Sequence, residues 1–154
     1  PNKLDKQYDC LINIGTGEHI FNIYQFFRSV HEWTKPGGLM IHCLPLSGEI
    51  DHGFYNFHPT FYWDLIYANS YVNCCILMLT LNPPRLVQFH DREEANDFLI
   101  NSKNNLKPSS IFAALRKPLK EVLFNTPIQG VYDDSINNSQ IKKVWQAQRE
   151  DSAK

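Results

Sequence analysis

Along the chain, short unbroken apolar runs alternate with stretches of helically spaced apolar residues, and their order outlines a fold. Tyr8–Ile14 (YDCLINI) is an apolar run behind a polar lead and predicts a buried strand. Gly15-Thr16-Gly17 breaks it. Over residues 18–33, Ile20, Ile23, Phe27 and Val30 recur at helical spacing. Thr16 or Gly17 is placed to cap this helix, and Glu18 in its first turn suits the helix dipole. Lys35-Pro36-Gly37-Gly38 ends it in a turn, and residues 39–44 (LMIHCL) predict a second buried strand. Strand, helix, turn and strand make a βαβ crossover, which implies two parallel strands.

Residues 45–58 read as a loop leaving the carboxyl end of the second strand, where open α/β sheets place their ligands. Pro59 suits the first turn of a helix running to about Asn69. Residues 71–81 (YVNCCILMLTL) predict a long strand, stopped by Asn82-Pro83-Pro84-Arg85. Residues 91–100 predict a short helix with an acidic first turn, and residues 110–115 (SIFAAL) a strand able to pair antiparallel with 71–81. The pattern yields about four strands, fewer than a stable doubly wound sheet usually has. Residues 1–132 read as the folded portion and 133–154 as a polar tail with a helical stretch around 140–149.

Composition narrows the class. With 154 residues, 43% hydrophobic and 20% charged, the chain can bury a core without disulfides or a structural metal. A formal net charge of -1 gives no positive field for nucleic acid or anionic lipid, and no apolar run approaches a membrane span. Aromatic residues, at 13%, are abundant enough both to fill a core and to wall a pocket. Cys10, Cys43, Cys74 and Cys75 form no CxxC pair, and three of them lie in apolar runs. They are expected to be buried free thiols, in keeping with a cytoplasmic location and the lack of a signal peptide at the polar start.

The strand opened by Tyr8-Asp9, followed by Glu18-His19, resembles the fourth strand and its loop in class I S-adenosylmethionine (SAM)-dependent methyltransferases. Lys35-Pro36-Gly37-Gly38-Leu39-Met40-Ile41 resembles the turn and fifth strand of that fold. The stretch from Asp51-His52-Gly53-Phe54-Tyr55-Asn56-Phe57 to Ala68-Asn69-Ser70-Tyr71 is similar to a subgroup acting on small or saccharide-like substrates. The resemblance covers residues 8–117 and implies an α/β fold: the second half of a Rossmann-like methyltransferase sheet, closed by a C-terminal antiparallel strand pair. It departs from the family in one large respect. Members carry a glycine-rich loop after the first strand and an acidic residue after the second, and both would precede Tyr8. Gly15-Thr16-Gly17 is a rival for that loop, but Ile20 stands where the third glycine belongs and no acid ends the next strand.

The resemblance implies roles for particular residues. Gly15, Thr16 and Glu18 would face the cofactor, S-adenosyl-L-methionine, though binding by this chain alone is in doubt. His19 or His52 would take the proton of an acceptor hydroxyl, work suited to an imidazole near neutral pH. Asp51, Tyr55, Asn56, Phe57 and His58 would contact the acceptor. For each there is also an ordinary reading: Gly15 as a turn residue, Thr16 as a cap, Glu18 and His19 as a helix-start pair, and the 51–58 segment as a surface loop. Metal ligation is not expected, since Asp51, His52, His58 and His90 show no HExxH spacing. No GxSxG elbow or basic stripe is present. The implied activity is methyl transfer from SAM to an oxygen or nitrogen of a small-molecule or saccharide-like acceptor, within a longer parent. The alternative is a non-catalytic half-domain whose exposed edge, Tyr8–Ile14, pairs with another copy or with a separate N-terminal half.

Overall fold

The computed structural model describes residues 6–102, 107–130 and 132. They form five strands and three α-helices in the order β1 (Tyr8–Ile14), α1 (Ile23–Trp33), β2 (Thr34–Ser47), α2 (Pro59–Asn69), β3 (Val72–Leu81), β4 (Pro84–Phe89), α3 (Arg92–Ser102) and β5 (Ser109–Arg116). A single mixed sheet runs β1-β2-β5-β3-β4. β1 and β2 are parallel, as the crossover predicts. β5 inserts between β2 and β3 and is antiparallel to both, so the expected pairing of the two later strands is present.

The registers align side chains in rows across the sheet. Asn13, His42, Ala113, Ile76 and Phe89 are successive partners through all five strands and share one face. All three helices lie on that face. Phe27 of α1 and Tyr62 of α2 both stack near the His42 ring, at 5.3 and 5.7 Å between centroids, and Phe98 of α3 packs on Phe89 at 5.5 Å. The core is therefore the space between this face and the helices, filled by Met40, Leu44, Tyr62, Leu65, Ile76, Ile111 and Leu115 among others.

Three features depart from the pattern-based expectation. The helix after β1 starts late: Gly17–His19 is a 3-10 turn, and α1 begins at Ile23, capped by Asn22 Oδ1, which accepts from Gln25 N at 3.1 Å. Neither Thr16 nor Gly17 caps α1, because Ile20 is extended and interrupts the helical path. Residues 34–38 belong to β2, with Tyr8 paired to Thr34 and a bulge before Cys10 pairs with Leu39. A fifth strand, β4, forms an antiparallel hairpin with β3, because Pro84 takes the strand's first position, where it donates no ladder bond. The helical stretch expected around residues 140–149 lies outside the described residues.

The C-terminal part of the described chain fastens α1. Lys117, just beyond β5, is 1% exposed, and its Nζ donates to the carbonyls of His31 (3.1 Å) and Thr34 (3.0 Å). These carbonyls lie at the end of α1, that of His31 also accepting from the Thr34 N–H, and the ammonium acts as a C-terminal cap. Glu121 accepts the third bond at 3.0 Å. The His31 ring bridges Tyr71 Oη (2.6 Å) and the Val122 carbonyl (2.8 Å), and burial lowers its pKa. Across α2 and α3, Arg92 meets Asp64 in a buried ion pair of 3.2 Å.

Candidate functional site

The carboxyl ends of the parallel pair β1 and β2 hold the side chains singled out for chemistry. Gly15 leaves β1 with φ +62°, a left-handed turn suited to glycine, and its N–H donates to the Cys43 carbonyl of β2 at 3.2 Å. The next turn is anchored from inside the sheet. Gly17 N donates to Asn13 Oδ1 at 3.0 Å, which leaves Asn13 Nδ2 facing His42 Nδ1 at 2.9 Å. The amide nitrogen donates, so His42 Nδ1 accepts and the ring is neutral. Desolvation agrees: the fully enclosed His42 has its pKa lowered to about 4. A neutral core histidine thus orients Asn13, and Asn13 holds the turn that carries Glu18 and His19.

Glu18 is 1% exposed, and neither of its carboxylate oxygens has a hydrogen-bond donor. Two imidazoles stand at longer range: His52 Nε2 at 3.6 Å and His19 Nε2 at 3.8 Å from Oε1. The two rings meet edge to face at 5.0 Å, and both side chains are about half exposed, at 45% for His52 and 49% for His19. Glu49 Oε2 lies 3.4 Å from His52 Nε2 on the solvent side. Glu18 also adds to the burial that raises the pKa of the Cys43 thiol and the Tyr62 phenol, which places its charge near both.

The 48–58 loop closes over Glu18 by main-chain contact. Phe54 N donates to the Glu18 carbonyl at 2.7 Å. Gly53, at φ +74°, is so close that a Cβ there would sit 2.9 Å from both the Glu18 carbonyl oxygen and its Cγ. Only glycine fits this contact, and it brings His52 onto Glu18.

The residues read as candidates from sequence do not all gather here. Glu18, His19 and His52 converge, with Gly15 beneath them. Thr16 is exposed, with its hydroxyl 3.5 Å from the Ile14 carbonyl. Asp51 is exposed in a left-handed turn, and Asn56 and His58 are exposed. Tyr55 donates its hydroxyl to the Phe21 carbonyl at 2.6 Å and so ties the loop to the segment entering α1. Phe57 is 5% exposed and packs against Phe27 and Phe61, which makes it core beneath the loop. His90 pairs with Glu94 at 3.0 Å, on the α3 side. Asn13, His42 and Glu49 belong to the site and were not read from sequence; the first two are each a polar residue flanked by apolar ones within a strand run, which was the only signal.

The thiols need a correction. Cys10 and Cys74 are exposed, while Cys43 and Cys75 are intermediate, so none is fully buried; all four are free. Strand alternation turns all but Cys74 toward the sheet face that the helices leave open, and Cys74 sits at the bulge in β3. Among the described residues no helix is long and apolar enough to cross a membrane. Comparison with family models, curated proteins and solved structures returns no match.

Proposed function

We propose that this chain is the acceptor-side half of a SAM-dependent methyltransferase, moving a methyl group to an oxygen or nitrogen of a small-molecule or saccharide-like acceptor when completed by a cofactor-gripping segment. The observation that carries the reading is the buried Glu18 carboxylate between His19 and His52, at the carboxyl ends of parallel β1 and β2. Open α/β sheets hold ligands at such ends. A carboxylate close to an imidazole stabilises, by its charge, the imidazolium that forms as the ring takes a proton. Either histidine, half exposed, reaches an acceptor from solvent with Glu18 at its back. Methyl transfer asks little else of these residues than alignment of acceptor and sulfonium. The strand order β1-β2-β5-β3, with β5 reversed, is in keeping with the second half of the sheet that the sequence resemblance implies.

The test is a ¹⁵N NMR titration of the chain with S-adenosylhomocysteine. The expected result is weak, fast-exchange binding with shifts confined to Gly15, Thr16, Glu18 and the 49–58 loop. Shifts on another surface, or none at millimolar ligand, would sink the reading.

A second reading rests on a different observation. Ile12 and Ile14 of β1 are 65% and 63% exposed on an edge strand that has no outer partner among the described residues. Such an edge invites a strand from another polypeptide, either a second copy or a separate first half. Light scattering after size exclusion distinguishes the two cases: a monomer that persists at high concentration argues against self-pairing.

A further inference from the structure

We propose that Glu18, His19 and His52 form a binding site for a divalent transition-metal ion, with an N₂O ligand set suited to zinc or iron(II). The proposal stands on the cluster itself and does not need methyl transfer to be correct.

Each of the three residues offers one ligand atom, and these atoms all lie within 4.8 Å of one another. Two ligands of a tetrahedral ion bound at about 2.0–2.1 Å sit roughly 3.3 Å apart. The Glu18 oxygen is already 3.6 Å from His52 Nε2 and 3.8 Å from His19 Nε2. Small rotations of two half-exposed imidazoles close the remaining gap, while Glu18 stays fixed by its buried backbone. Two imidazoles and one carboxylate, with the rest of the sphere open to solvent, is a donor set that zinc and non-haem iron sites share.

The second observation is independent of this spacing. Glu18 is 1% exposed, its side chain points into the cluster, and neither carboxylate oxygen accepts a hydrogen bond. A buried carboxylate is ordinarily paired, hydrogen-bonded or bound to a metal. Glu18 has neither Lys nor Arg in ion-pair range among the described residues, and the nearby groups are His19, His52, Cys43 and Tyr62. Glu49 adds a second carboxylate at 3.4 Å from His52. Glu18 and Glu49 thus bring two carboxylates to His52, and among the described residues no Lys or Arg lies within ion-pair range of either, an arrangement that suits a cation. The fold also spends two specific devices on it: the Asn13–His42 bond that sets the turn before Glu18, and the glycine at position 53 that lets the His52 loop touch it.

A bound ion would change the part played by the histidines. As ligands they hold no free lone pair at Nε2, and an acceptor hydroxyl would lose its proton through polarisation by the ion.

The test is calorimetric titration of metal-stripped chain with Zn²⁺, with Co²⁺ spectra as a check on ligand type. One equivalent is expected to bind at micromolar or tighter affinity, and the Co²⁺ complex is expected to lack a thiolate charge-transfer band, which separates this site from the exposed Cys10 and Cys74. His19→Ala and His52→Ala, both at half-exposed positions that leave folding intact, should each weaken binding at least tenfold. Glu18→Gln supplies a crossover: with chelator present it should melt higher than wild type, and with Zn²⁺ present lower. No binding at 100-fold excess over micromolar protein, affinity unchanged in both histidine variants, or a Glu18→Gln variant that melts lower under chelator would each overturn the proposal. Zinc binding with an inactive parent enzyme would leave the metal site standing and remove only the methyl-transfer reading.

Discussion

The two faces of the sheet differ sharply in cover although they resemble each other in composition. On the helix side the row Asn13, His42, Ala113, Ile76 and Phe89 is at most 5% exposed from end to end. On the other side the row Ile14, Cys43, Phe112, Leu77 and Gln88 is apolar through four of its five positions, yet Ile14 is 63% exposed and the middle three are only partly buried. A sheet meant to have one wet face alternates apolar with polar, whereas a sheet covered on both sides is apolar throughout. β1 and β2 carry the second pattern and the cover of the first. The comparison explains why β1 looked like a buried strand in the sequence and is largely exposed in the structure: the residues are those of an interior strand, and the described layers supply one wall.

Substitutions on the two faces should differ in cost accordingly. The largest effect is expected on the covered face. Leu115 is 0% exposed, so Leu115→Ala should cost an amount in the upper half of the roughly 2–5 kcal/mol range for such truncations; urea unfolding followed by tryptophan fluorescence measures it. A loss below 1 kcal/mol would mean that the helix layer packs more loosely than its exposures imply.

Acidification should come next, through His42. Its folded pKa of about 4 lies below the ordinary value of 6.5, so the ring is neutral in both states above that value. Between pH 6.5 and 4 the unfolded chain takes up a proton that the folded chain refuses, and stability falls as pH falls. The full window corresponds to about 3 kcal/mol. Urea midpoints between pH 7 and 4 should show this slope and lose much of it in His42→Asn, which no longer titrates. An unchanged slope would assign the acid sensitivity to other groups, His31 first among them because its pKa is also lowered by burial.

The smallest effect is expected on the bare face. Ile12→Thr and Ile14→Thr should move stability by no more than about 0.5 kcal/mol, as exposed strand positions do. They should also reduce any concentration-dependent association seen by light scattering. A cost above 1 kcal/mol for either would show that something in the chain already covers that face.

Much of the sheet was legible in the sequence, because β1, β2, β3 and β5 are dense apolar runs bounded by glycine, proline or asparagine. β4 was not. Its residues Pro84–Phe89 follow Pro83 directly, and the two prolines read as a stop that hid the Leu86, Val87 and Phe89 behind them. The α1 start was misplaced because Ile20 fits the helical period although its backbone is extended. The site was half legible. Glu18, His19 and His52 each stood out, but His52 was read with its own loop, Asp51 to His58, and not with Glu18. What joins it to Glu18 is the left-handed Gly53, a backbone conformation that apolar periodicity does not report. The support given by Asn13 and His42 was hidden for a related reason: a polar residue inside a strand run declares its face but not its partner.

The enclosed Lys117 amine has a use that its capping role does not suggest. A lysine held at 1% exposure by two helix-end carbonyls and a carboxylate is shielded from acylating reagents for as long as α1 stays seated. Its rate of labelling, read by mass spectrometry against an exposed amine such as Lys35, would therefore time how often the end of α1 lifts from the sheet. Because α1 follows directly from the turn that bears Glu18, the same chemical clock would register any ligand that steadies the carboxyl end of β1.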